Sequence, residues 1–128
     1  MAYTPYATYE DYLQLYSPDS SEETAIARAL YSASRHVDAL TFNRIVAVGF
    51  ENLTEFQQEI ITEVVCQQAH FEKENADLIG SVLSSYAING VSMQFGQSWN
   101  VCVEEGVAMR RDVYAMLEQT GLCCRLAR

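Results

Sequence analysis

Ile26, Leu30, Ala33, Val37 and Leu40 recur at spacings of four, three, four and three. That stripe is the seam of an amphipathic helix that packs on other helices. Ser20 with Glu23 fits a capping box at its start, and Gly49 marks a break beyond its end. Thr54 with Gln57 fits a second capping box. It predicts a long helix from about Glu55 to Leu78, with Phe56, Ile60, Val64 and Phe71 on one face and Gly80 as terminator. Upstream, Tyr9, Leu13 and Tyr16 share one face of a short helix that Pro18 ends. A last helix is expected from about Ala108 to Gln119. Met109, Val113, Met116 and Leu117 form its apolar face, and Thr120-Gly121 closes it.

One segment breaks the helical pattern. Asn89-Gly90 joins Tyr86-Ala87-Ile88 to Val91-Ser92-Met93, a strong two-residue hairpin signal. The hairpin is expected over roughly Val82–Phe95, with Tyr86, Ile88, Val91, Met93 and Phe95 alternating. A lone hairpin is marginal in water, so it must pack on the helices or pair with another chain. The expected fold is therefore mainly α: a small bundle of about four helices with one β-hairpin near residues 82–95. The 128 residues fit one domain, with an N-terminal arm over 1–20 and a C-terminal tail over 121–128.

Composition adds charge to this picture. The chain is 49% apolar, enough for a core without metal or disulfide staples, and its net charge is −9. That charge opposes passive adhesion to phosphate backbones or anionic lipid. It suits a soluble protein, a partner of basic surfaces, or a wall that DNA must not stick to. Residues 1–106 hold 15 acids and 4 bases, a net of −11, whereas residues 107–128 hold four Arg against Asp112 and Glu118, a net of +2. Only Lys73 is a lysine, and the seven arginines favour planar contacts at interfaces. No run is long enough to span a membrane, and no secretory signal is visible. Cys66, Cys102, Cys123 and Cys124 fit free thiols in a reducing cytosol.

Catalytic signatures are sparse. His36 and His70 stand alone on different expected helices, the cysteines lack zinc-site spacing, and no phosphate loop, dinucleotide fingerprint, nucleophile elbow or HExxH motif is present. The chain is expected to be no enzyme, with no cofactor and no metal. Glu51, Glu55, Glu59 and Glu63 recur in steps of four and would form one acidic stripe on the long helix, either a solvated face or a negatively charged wall.

Four stretches, in order, resemble the head–tail connector (head-completion, or portal-adaptor) proteins of long-tailed bacteriophages. Tyr9-Glu10-Asp11-Tyr12-Leu13 resembles the Tyr-containing arm. Ala33-Ser34-Arg35-His36-Val37-Asp38-Ala39-Leu40-Thr41, followed by Arg44-Ile45, is close to the early "AS-x-x-I-D" helix. Ser84-Ser85-Tyr86-Ala87-Ile88-Asn89-Gly90 is similar to the "SYSI" hairpin, and Leu117 through Arg125 to the "LL-x-x-T-G-L-x-x-R" ending. Cys123-Cys124 departs from that ending.

The resemblance implies a structural virion protein at the neck, made in the host bacterial cytoplasm. Such proteins form a ring, usually of about twelve copies, that docks on the portal protein, lengthens the DNA channel and seats a stopper or tail-completion protein. DNA passes through without specific binding. On this reading Glu51, Glu55, Glu59 and Glu63 are candidates for the channel lining, because a wall that repels phosphate does not hold DNA. Leu122, Arg125, Leu126 and Arg128 are candidates for portal contact. Tyr86, Ile88, Asn89, Gly90, Val91 and Met93 are candidates for an intersubunit hairpin. The competing reading is a small acidic cytosolic protein that inhibits or mimics charge against a basic protein partner.

Overall fold

The helical seam lies at the centre of the core. Ile26, Leu30, Ala33, Val37 and Leu40 are all buried on the helix Glu23–Leu40, here α2. The computed structural model describes residues 5–18, 20–77, 79, 101–104 and 107–123. In chain order the other described elements are α1 (Tyr9–Leu13), α3 (Arg44–Val48), α4 (Glu55–Glu74), β1 (Val101–Glu104), β2 (Val107–Arg110) and α5 (Arg111–Glu118). Single 3-10 turns cover Ser20–Glu22 and Phe50–Asn52. This is the mainly α small bundle that the patterning predicts.

The Ser20–Glu23 box does not form. Ser20–Glu22 coil into the 3-10 turn, and Glu22, at the N-cap of α2, accepts from Lys73 Nζ at 2.6 Å on α4 instead of capping its own helix. The helix ends earlier than Gly49. Phe42 and Asn43 follow it in the left-handed region at φ +56° and +59°, and Asn43 N–H donates to the Asp38 carbonyl at 2.8 Å. Left-handed backbone costs a non-glycine residue about 1–2 kcal/mol. Gly49 then ends α3 at φ +92°, where an added Cβ would come within 2.9 Å of Asn52 Nδ2.

The Thr54–Gln57 box is present in full at the start of α4. Its inner face differs from the expectation. Phe56 is 52% exposed and Ile60 half-buried, while Ile61, Val64, Val65, Gln68, Ala69 and Phe71 are buried. The buried arc is wide because several elements pack on α4: α2, the C-terminal helix α5, α1 and β2. The described part of α4 stops at Glu74, with Asn75 as cap and its side chain donating to the Phe71 carbonyl at 3.0 Å. Leu78 and Gly80 lie outside the described residues.

The short N-terminal helix keeps Tyr9, with Tyr16 beyond it, half-buried against the core but turns Leu13 outward. A Thr8–Asp11 capping box opens it, Leu13 is 43% exposed, and Tyr12 is the residue that enters the core.

The described strands form an antiparallel pair in which Val101 meets Arg110 and Cys102 meets Met109. Ala108–Arg110, expected as the first turn of the last helix, are therefore strand, and α5 starts at Arg111. Met109 still reaches the core, and Val113 and Leu117 complete it. The hairpin expected over Val82–Phe95 lies outside the described residues.

Candidate interaction surfaces

The arm and the tail-side turn are both tied to the helices, and these ties position the surfaces. Tyr6 N–H donates to Ser34 Oγ at 3.0 Å, its hydroxyl donates to Asp38 Oδ1 at 2.6 Å, and its ring stacks on Phe50 at 5.3 Å. Thr62 Oγ1 donates to the Tyr6 carbonyl at 3.2 Å. At the other end, Arg44 Nη1 donates to the Leu122 carbonyl at 2.9 Å and Gln57 Nε2 to the Thr120 carbonyl at 3.0 Å. Gly121, at φ +77°, lets the chain turn between them.

α4 presents Glu55, Glu59 and Glu63 to solvent. Glu51 is exposed too, but it sits on the 3-10 turn before the helix. Leu53 and Thr54 are extended between turn and helix, so the four-residue step does not carry across them. The stripe on the helix therefore has three members. Beside it, between α1 and α4, runs a groove of about 430 Å³ lined in part by Asp11, Leu15, Phe50, Glu59, Glu63 and Cys66. Burial, with Asp11 and Glu63 nearby, pushes the Cys66 thiol up to about 12. A thiol held protonated in this way is a packing group and not a nucleophile.

The opposite long helix carries a surface that sequence reasoning passed over. Arg28, Tyr31 and Arg35 are exposed on α2, and Arg35 lies over the Tyr31 ring with its guanidinium carbon 5.6 Å from the ring centre. The signal was available as two arginines seven residues apart with an aromatic between them, outside the apolar seam.

Neither histidine stands alone in the fold. His36 Nδ1 lies 2.5 Å from Glu72 Oε2, and Gln68 Nε2 donates to the same oxygen at 2.7 Å and to the Ala108 carbonyl of β2 at 2.9 Å. The Glu72 hydrogen bond raises the His36 pKa against the opposing effect of burial. His70 Nδ1 is 2.9 Å from the Tyr12 hydroxyl, and the Tyr16 ring stacks on His70 at 3.9 Å. Burial lowers the His70 pKa and raises that of Tyr12, so a neutral imidazole and a neutral phenol share this hydrogen bond.

The expected tail contact divides. Leu122 is half-buried against the core, with its carbonyl held by Arg44, while Arg125, Leu126 and Arg128 lie outside the described residues. Tyr86, Ile88, Asn89, Gly90, Val91 and Met93 lie outside them as well. Cys123 is half-buried, and burial pushes its thiol up to about 11. Among the described residues no group of three or more His, Cys, Asp or Glu is placed to hold a metal ion, and no helix is long and apolar enough to cross a membrane. No protein-family model matches the chain, and no curated protein or solved structure does either.

Proposed function

We propose that this chain is a head–tail connector subunit of a long-tailed bacteriophage. It forms a ring under the portal protein, lengthens the DNA channel and seats a stopper or tail-completion protein. Its work is assembly, without catalysis or cofactor. One observation supports the reading above the others: the Arg44-Ile45 pair and the Leu117–Arg125 ending, two of the stretches that carry the resemblance, meet in space, and the Ala33–Thr41 stretch holds the segment just before the arm motif. The Ala33–Thr41 stretch supplies Ser34 and Asp38 to hold the arm through Tyr6, and the Arg44-Ile45 pair supplies the guanidinium that holds Leu122 of the Thr-Gly-Leu ending. These contacts hold Tyr6 and Leu122 onto one bundle. A subunit whose ends serve neighbouring proteins needs both held in a fixed direction.

Charge supports it too. Residues 1–106 carry a net of −11, and each neutralised phosphate would add affinity by releasing counterions. An acidic body lets DNA pass and leaves the arginines of residues 107–128 for protein contacts. The test is the mass of the protein in solution, alone and mixed with a portal ring from the same genome. Capture at a fixed stoichiometry near one copy per portal subunit is expected. A chain that ignores the portal and retains a basic protein instead is the acidic binder.

A further inference from the structure

Two outer faces of opposite character stand on opposite sides of one helix pair. α2 and α4 pack against each other through Ile26, Ala33 and Val37 on one helix and Ile61, Val64 and Val65 on the other. A helix advances 100° per residue, so positions half a turn from these stripes point away from the pair. On α2 they are Arg28, Tyr31 and Arg35. Their outward neighbours, Thr24, Ala25, Ser32 and Ala39, carry no charge. On α4 the outward positions are Glu55, Glu59 and Glu63 in its first half, followed by the buried Cys66 and by His70, which Tyr12 and Tyr16 cover; the 52%-exposed Phe56 lies beside the glutamates, and the helix has no basic residue before Lys73.

We infer that these faces are the two halves of one contact between copies of this chain. The α4 face of one copy lies along the α2 face of the next, Arg28 and Arg35 meet the glutamates, and Phe56 packs beside Tyr31. The lengths agree: seven residues separate the arginines, about 10.5 Å of rise, and eight separate Glu55 from Glu63, about 12 Å. Guanidinium forks suit carboxylates, and a partly exposed aromatic on each side supplies the apolar anchor that charge alone lacks. The halves differ and lie on opposite sides of the subunit, so the contact is head-to-tail. Each copy leaves one half of each kind open, and repetition gives a ring or a filament. The inference deepens the connector reading, on which it rests for closure into a ring. It also moves Glu55, Glu59 and Glu63 from the channel wall to the seam between subunits.

Sedimentation of the full chain at about 50 mM and about 500 mM salt tests it, up to about 1 mM protein. The wild type associates at low salt and less at high salt. Reversing either face, with Glu59→Arg and Glu63→Arg together or Arg28→Glu and Arg35→Glu together, weakens association about a hundredfold, since attraction becomes repulsion at two positions. Combining all four changes in one chain restores it. If a reversal unfolds the chain, as a circular dichroism melt would reveal, the Gln variants at the same positions replace it with a smaller expected loss. A wild type that stays monomeric, reversals that associate normally, or a fourfold variant that stays apart would each overturn the inference. Portal capture is read on the same samples. Association through these faces without portal capture keeps the inference and removes the connector reading. Portal capture that ignores the reversals does the opposite.

Discussion

The two sides of α4 are held by different chemistry. Toward α1 the tie is aromatic and neutral: Tyr12 is 2% exposed, its hydroxyl and His70 Nδ1 share a hydrogen bond, and Tyr16 stacks on that imidazole. Toward α2 and β2 the tie is ionic and amide-based: His36, Glu72, Gln68 and the Ala108 carbonyl share one chain of hydrogen bonds. The first draws on buried apolar area, which persists across pH and salt. The second draws on polar groups whose burial is costly unless they are paired, and Gln68 Oε1 is buried without a partner among the described residues. A helix between two neighbours can thus be fixed by area on one side and by directed bonds on the other.

The comparison breaks most visibly at Tyr12. Tyr12→Ala empties the core between α1 and α4 and is expected to cost about 3–5 kcal/mol in denaturant unfolding. A loss under about 1 kcal/mol would mean that the aromatic side is not a core contact. Gln68→Ala is expected to cost about 2–3 kcal/mol, because it strips a donor from both Glu72 and the Ala108 carbonyl. Faster amide exchange over Val107–Arg110 should accompany it, and unchanged exchange there would separate the hairpin from the network. Tyr12→Phe keeps the ring and removes only the hydroxyl. It should cost about 1 kcal/mol and leave the titration of His36 unmoved.

The smallest effect is that of pH, and its signs are opposite on the two sides. The folded pKa of His36 is raised, so its contribution is full below about 6.5 and is lost as pH rises through the folded value. The folded pKa of His70 is lowered, so its contribution is present above about 6.5 and is lost as pH falls through the folded value. His36→Gln should therefore flatten the decline in stability on the alkaline side, and His70→Gln the decline on the acid side. The His36 side chain is 42% exposed, so water screens much of its share. Proton NMR of the two imidazoles checks the order directly: His36 should titrate at the higher pH, and the reverse order would invert the comparison.

Some of this could be read from residue order and some could not. The seam of α2 was plain because its five buried positions fall on one stripe, and the Thr54–Gln57 box was plain because its partners lie three residues apart. The inner face of α4 was not, since α2, α5, α1 and β2 all pack on it and no single stripe describes the result. Ser20 and Glu23 had the right spacing for a cap, yet Ser20–Glu22 form a 3-10 turn, the helix starts at Glu23, and Glu22 pairs with a lysine 51 residues away. The glutamate stripe was visible as a period but not in its phase, because the extended Leu53-Thr54 step separates Glu51 from the helix. The cationic face of α2 escaped notice because outward residues leave no trace in an apolar pattern.

What the sequence determined alone were the features whose cause is local. A helix forms wherever a seam and a cap recur within a turn or two, and the uneven charge is a property of composition. Tertiary structure decided everything that needed a distant partner. Ala108–Arg110 became strand because Val101–Val103 lay alongside, the two histidines took opposite charge preferences from a carboxylate and from burial, and the acidic and basic faces came to stand on opposite sides of one helix pair. Local propensities differ by tenths of a kcal/mol, while a buried side chain or a satisfied buried donor is worth about 1–3 kcal/mol, so packing overrides the local preference wherever the two compete.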